Sequence, residues 1–264
     1  DCVHCIVGVV QRQLDEGAHR FGGAGRHRQR EMISWLVTAT DIDPGTLAIL
    51  ATICFFAGMV RGFAGFALSA LVMASAVLIL PPIELIPICW VLELVASILM
   101  FRGGFADADR RMVMILFVGS AMGTPLGLWL TTSLPIETSK TIALVLIVGL
   151  AGLQLARLRI PGLATTPGTW ATGLAAGIVT GIASVGGMVI ALYVLARNAP
   201  ARVIRASLVL FLFLTSFTSI VYLLLYGVMD QRAAIRGVVL ALPTALVIAS
   251  LLFPETTITF CGFA

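Results

Sequence analysis

Residues 47–80 read LAILATICFFAGMVRGFAGFALSALVMASAVLIL, thirty-four positions with a single charge, Arg61. A helical bilayer span takes about 20 apolar residues, so this stretch holds more than one crossing. Arg61-Gly62 reads as a break between Leu47–Val60 and Phe63–Leu80. The rest of the chain has the same texture. Of 264 residues 59% are hydrophobic and 11% charged, and mean hydropathy is +1.04. Soluble domains run near half apolar and a quarter charged, and a soluble core cannot hide this much apolar surface. The solvent is therefore a bilayer, and the length admits roughly eight spans. Lipid offers no partner to a backbone N–H or C=O, so the runs must be helices. None alternates apolar with polar, which excludes a barrel.

Downstream, Pro81-Pro82 precedes Ile83–Phe101, and the charged loop 102–111 leads to Met112–Leu130. Thr141–Ala156 follows, then a loop rich in helix breakers, RLRIPGLATTPG. The second half reads Trp170–Ala183, a break at Ser184-Val185-Gly186-Gly187, Met188–Ala196, Ala206–Tyr226 and Gly237–Phe253. We expect an all-α polytopic membrane protein of about eight transmembrane helices in two homologous repeats, each opening with a broken pair of short helices. We expect residues 1–31 to be a polar, disordered extension ahead of Met32, 32–156 the first repeat, 157–169 a linker loop, and 170–264 the second repeat with an atypical or truncated end. Arginines occur in loops throughout, which leaves sidedness open. Trp35, Trp129, Trp170 and Tyr226 lie near run ends, where amphipathic rings favour the headgroups.

The repeat rests on a shift of 119 positions. It lays Ala57, Gly58, Val60, Gly62 and Ala64 on Ala176, Gly177, Val179, Gly181 and Ala183, Pro81 on Pro200, and Ser97 on Ser216. Interrupted helices at matching places in two halves are a pointer to a transporter binding site. A broken helix exposes N–H groups and the positive end of its dipole, which together suit an anion. Gly62, Gly65, Gly181, Gly186 and Gly187, where backbone can approach a solute closely, are candidate ligand positions, with the hydroxyls of Thr180 and Ser184 beside the second break. Gly58, Gly173 and Gly177 have the spacing of a small-residue packing seam instead.

GMVRGFAGFALSALVMASAVLILPP and TGLAAGIVTGIASVGGMVIALYVL resemble the two signature stretches of the sulfite exporter TauE/SafE family, the toluene-sulfonate uptake permeases, over about residues 45–250. The resemblance implies a multi-pass permease of the bacterial inner membrane that carries anions such as sulfite or organosulfonates, coupled to an ion gradient. It does not fix the anion or the direction of transport.

Two charged residues stand out within apolar text. Arg61 costs about 2.5–3.5 kcal/mol in lipid on insertion scales, so it must be paired or wet. It either neutralises an anionic solute or snorkels to an interface. Glu93, mid-run in ICWVLELVASIL, suits a proton carrier, or else a structural ion pair with Arg61. Thr215, Ser219, Tyr222 and Tyr226 form a polar stripe at helical spacing, which serves either a path or interhelical hydrogen bonds.

The function classes separate on what is missing. All three histidines, His4, His19 and His27, precede Met32, so no imidazole can activate a serine in the membrane body and an enzyme is not expected. No nucleotide-binding motif marks a primary pump. Cys2-x-x-Cys5 lacks a second ligand pair, and no metal or cofactor is expected. The expected partners are a small anionic solute and the lipid bilayer, with a homo-oligomer left open and no nucleic acid. A cation carrier with Glu93 as ligand is the runner-up, and a membrane scaffold the third reading.

Overall fold

The computed structural model describes residues 40–101, 107–156, 165–197 and 200–252. The N-terminal extension, the loop at 157–164 and the chain after Leu252 lie outside the described residues. Among those described there are nine helices and no strand. They are α1 (Pro44–Ala64), α2 (Leu68–Ala76), α3 (Pro82–Phe101), α4 (Arg110–Ser133), α5 (Ile136–Leu155), α6 (Thr166–Ala183), α7 (Gly186–Ala196), α8 (Ala201–Leu225) and α9 (Gln231–Leu252). Six are long and apolar enough to cross a membrane: α1, α3, α4, α5, α8 and α9. The Gly- and Thr-rich α6 falls outside that class, as do the short α2 and α7. Phe56, Phe63, Leu78, Leu126, Leu155, Leu225 and Leu246 are exposed, as expected of a surface solvated by acyl chains rather than water.

Side chains close several helix starts. The Asp43 carboxylate accepts from the Gly45 and Thr46 amides ahead of α1, Asp109 from Met112 ahead of α4, and Thr165 from Gly168 ahead of α6. Each satisfies amide donors that a helix cannot pair within itself.

The first break is not where the sequence placed it. α1 runs on through Arg61 and Gly62 to Ala64, and the chain turns at Gly65 (φ 81°) and Ala67 (φ 73°). Arg61 is fully buried and ion-paired inside the protein, so its charge does not interrupt the helix. A helical glycine costs only about 1 kcal/mol, which Gly62 bears within α1. Gly65, a left-handed position that glycine takes without strain, is what stops the helix. The second break falls at Ser184 (φ 57°) and Val185, and Gly186 and Gly187 form the first turn of α7. α1 ends at Ala64 and α6 at Ala183, and the residue after each is left-handed.

The helix ends sort onto two faces. On one, Arg236 at the start of α9 pairs with Glu84 at the start of α3 (2.6 Å) and donates to the Thr40 carbonyl ahead of α1 (2.6 Å), while Arg232 pairs with Asp41 (3.1 Å). Thr132 near the end of α4 and Tyr226 after α8 line the same polar recess. On the other face Arg202 of α8 pairs with Asp107 ahead of α4 (2.5 Å), and the Ser207 hydroxyl accepts from the Asp109 amide (3.1 Å). The Thr131 hydroxyl donates to the Gly181 carbonyl (3.1 Å), which sets the end of α6 beside the end of α4. It follows that α1 and α6 enter from opposite faces, as do α3 and α8.

Two seams hold this arrangement. Gly119, Gly123 and Gly127 of α4 face Gly173, Gly177 and Gly181 of α6 so closely that a Cβ at any of them would run into the other helix's backbone. Small residues are what permit such approach between helices in lipid. Gly58 of α1 lies against the Thr244 backbone of α9 in the same manner, 3.2 Å from where its Cβ would stand. α3 packs against both α8 and α9, and α8 against α4. Pro125 sits inside α4 and leaves the Ala121 carbonyl without its helical N–H. The Tyr222 hydroxyl of α8 donates to that carbonyl at 2.8 Å.

Candidate functional site

Against the second break, with Ser69 of the first turn of α2 also on its wall, lies a cavity of about 40 Å³, room for about three waters. It sits near mid-depth. Glu93, the twelfth of twenty residues in α3, lines it, with Thr124, the fifteenth of 24 in α4, and Thr215, the fifteenth of 25 in α8. Trp90, Leu128, Phe211 and Leu212 supply apolar wall.

Of the residues singled out from sequence, Thr180, Gly181, Ser184, Gly186, Gly187 and Glu93 line this cavity together. Arg61, Gly62 and Gly65 do not. Gly62 is inside α1 against Leu251, and Gly65 lies beside the stem of Arg205. Arg205 donates to the Gly62 carbonyl at 2.7 Å, which satisfies one of the orphan acceptors at the end of α1. Arg61 stands behind Glu93. Its Nη2 is 3.1 Å from Glu93 Oε2 and donates to Ser97 Oγ at 3.2 Å. The contact with Oε2 has ion-pair distance without hydrogen-bond alignment, since Oε2 accepts no hydrogen bond among the described residues. The other carboxylate oxygen, Oε1, accepts from the Ser69 hydroxyl at 2.6 Å and from the Ser69 amide at 3.3 Å. Glu93 thus caps the first turn of α2.

The polar wall divides by what each group can still offer. Thr124, Thr180 and Thr215 donate their hydroxyl protons to Ser120, Ala176 and Phe211 carbonyls on their own helices (2.8, 2.7 and 3.0 Å), so they present lone pairs to the cavity. Ser184 and Ser219 make no side-chain hydrogen bond among the described residues, and their hydroxyls are free to donate. The Gly186 and Gly187 amides, in the first turn of α7, have no acceptor among the described residues, as helix geometry dictates. Two amides, at the positive end of the α7 dipole, and two hydroxyls remain as donors around the cavity.

Sequence reasoning missed Ser69 and Thr124. A single hydroxyl in apolar helical text carries no signal by itself, and Ser69 became legible only with the first break moved to 65–67, which makes it a first-turn residue of α2. Within the polar stripe of α8, Thr215 and Ser219 reach the cavity, whereas the hydroxyls of Tyr222 and Tyr226 donate to the Ala121 and Pro125 carbonyls of α4.

No curated protein and no solved structure matches the chain. The family described as "Sulfite exporter TauE/SafE" matches residues 50–256, a span that takes in both breaks, the cavity and every helix lining it. This chain therefore belongs to the sulfite exporter TauE/SafE family, a family of membrane transporters.

Proposed function

We propose that this chain is a secondary permease of the bacterial inner membrane for small anions of the sulfite or organosulfonate kind. The solute sits at the N-terminus of α7, and transport is coupled to an ion or proton gradient through Glu93. The observation that carries this is the donor balance of the cavity. The groups around the cavity with unused protons are the Gly186 and Gly187 amides and the Ser184 and Ser219 hydroxyls, beside the lone pairs of three threonines, while the Glu93 carboxylate is engaged by Ser69 and Arg61. Uncommitted donors suit an anion, and the engagement of Glu93 weakens the cation-carrier reading.

We also infer that the two halves arose by duplication in inverted orientation. In support, α1 and α6 end 119 positions apart with a left-handed residue after each. α1 packs on α9 through Gly58 as α6 packs on α4 through Gly177, the residue 119 positions later. With α5 as the added crossing between them, the halves enter from opposite faces, the arrangement of many transporters with a midplane site.

Sulfite uptake into proteoliposomes tests the site. Hydrogen bonds to a charged group are worth about 1.5–3 kcal/mol, so Ser184→Ala and Ser219→Ala each weaken apparent sulfite affinity roughly 10- to 100-fold. Thr124→Val, which removes a proton already committed to Ser120, changes it little. Equal losses in all three variants, or no sulfite flux in the unaltered protein, would overturn the assignment.

A further inference from the structure

The Glu93 carboxylate does at α2 what the solute does at α7: it brings negative charge to the first turn of a helix that follows a break. Its Oε1 takes the Ser69 amide and hydroxyl, and Oε2 faces Arg61. The 119-position shift carries Glu93 onto Leu212. The Leu212 side chain lies 3.2 Å from where Gly187 would carry a Cβ. One helix start is thus filled by a tethered anion, and its counterpart has an uncharged neighbour instead. Arg61 is an independent sign that the first place is built for anions. It is 0% exposed, yet among the described residues its Nε and Nη1 have no hydrogen-bond partner, so its donor capacity exceeds what Glu93 and Ser97 use.

We propose that the N-terminus of α2, together with Arg61, is a second anion seat whose resident occupant is the Glu93 carboxylate, and that a small oxyanion or carboxylate takes the seat when Glu93 yields it. Its role in the unaltered protein rests on the anion-permease reading above. The charges near the seat are few. α1 supplies Arg61 and, further off, the thiol of Cys54; α3 supplies Cys89 beside Glu93; and Arg205 of α8 is turned to the Gly62 carbonyl. From α2, α4, α6 and α7 the cavity receives hydroxyls, amides and apolar groups. Arg61 and Glu93 sum to zero. A monoanion that enters a desolvated site beside them leaves an excess negative charge, which is costly in low dielectric. If one proton binds a Glu93 carboxylate oxygen as the solute arrives, Arg61 and the solute sum to zero instead. The proton returns to water when the solute leaves and Glu93 recovers Arg61. Competition for one cation then couples one proton to one monoanion.

Formate, a carboxylate without a side chain, is the probe. In purified full-length Glu93→Ala, formate at about a hundredfold its dissociation constant raises Tm by about 5 °C, saturably, because it refills the seat. The unaltered protein and Arg61→Gln/Glu93→Ala do not respond. An equal response in all three, or none in Glu93→Ala, overturns the seat. If Glu93→Ala fails to fold, Glu93→Gln is compared with the unaltered protein in weak buffer, with methanesulfonate, a monoanion at every working pH, as the solute: proton uptake per methanesulfonate bound falls from about one to none. Unchanged uptake overturns the proposal. Formate rescue in a protein that moves no sulfite supports the seat and removes the permease reading, so the two fail separately.

Discussion

Gly177→Ala is a one-carbon probe of the α4–α6 seam. The new Cβ would stand 2.8 Å from the Ser120 carbonyl carbon and 2.8 Å from its Cα, and closer still to the Ser120 oxygen. Carbon pairs rest at about 3.5–4.0 Å, so the helices must part by about 0.7 Å or more. What blocks the way is backbone, which cannot turn aside as a side-chain tip can. Overpacking costs about 1–3 kcal/mol, and the upper end is expected here because neighbouring glycines on both helices lose contact as the seam opens. Gly149→Ala on α5 is the control. Nothing lies within 4 Å of its Cβ position, so helix propensity alone acts, worth up to about 1 kcal/mol in the stabilising direction. Reversible unfolding in mixed detergent micelles, followed by loss of helical signal, should separate the two variants by about 2–4 kcal/mol. Equal stabilities would refute the seam as drawn.

Further substitutions address other parts of the molecule. Tyr222→Phe strips the hydrogen bond to the Ala121 carbonyl and should cost about 0.6 kcal/mol, up to about 1.7, in the same unfolding assay; an effect on Tyr222→Phe no larger than on a lipid-facing control would count against it. Ala67 holds φ 73°, so Ala67→Gly relieves about 1 kcal/mol of left-handed strain and should raise the unfolding midpoint. Arg61→Ala leaves Glu93 buried without its cation and should cost about 3–5 kcal/mol. Arg61→Ala/Glu93→Ala should then lose less than the two single variants summed, and strict additivity in that cycle would show that the pair is not coupled.

The helical, membrane-crossing class was legible because composition decides it: thirty-four residues with one charge leave few alternatives in any solvent but lipid. The count was not: about eight spans were expected, and six helices among the described residues are long and apolar enough. The second break was legible too, since Ser184 and the two glycines after it interrupt an otherwise uniform run. The first was displaced by three or four residues because an arginine in apolar text reads as an interruption. Only packing reveals that Arg61 meets Glu93, thirty-two positions on, and stays helical. The same limit hid Ser69 and Thr124, whose meaning lies in helices that are distant in sequence. It also left open whether Thr180 offers a proton or a lone pair, which the bond to Ala176 decides.

Pro125 has a consequence for how α4 can move. A helix resists bending chiefly because bending stretches its ladder of hydrogen bonds, and between Ala121 and Pro125 that rung does not exist. α4 can flex there without losing any bond of its own. The tether from Tyr222 bridges the gap from the neighbouring helix, so a bend of α4 at this point would either carry α8 with it or break that hydrogen bond.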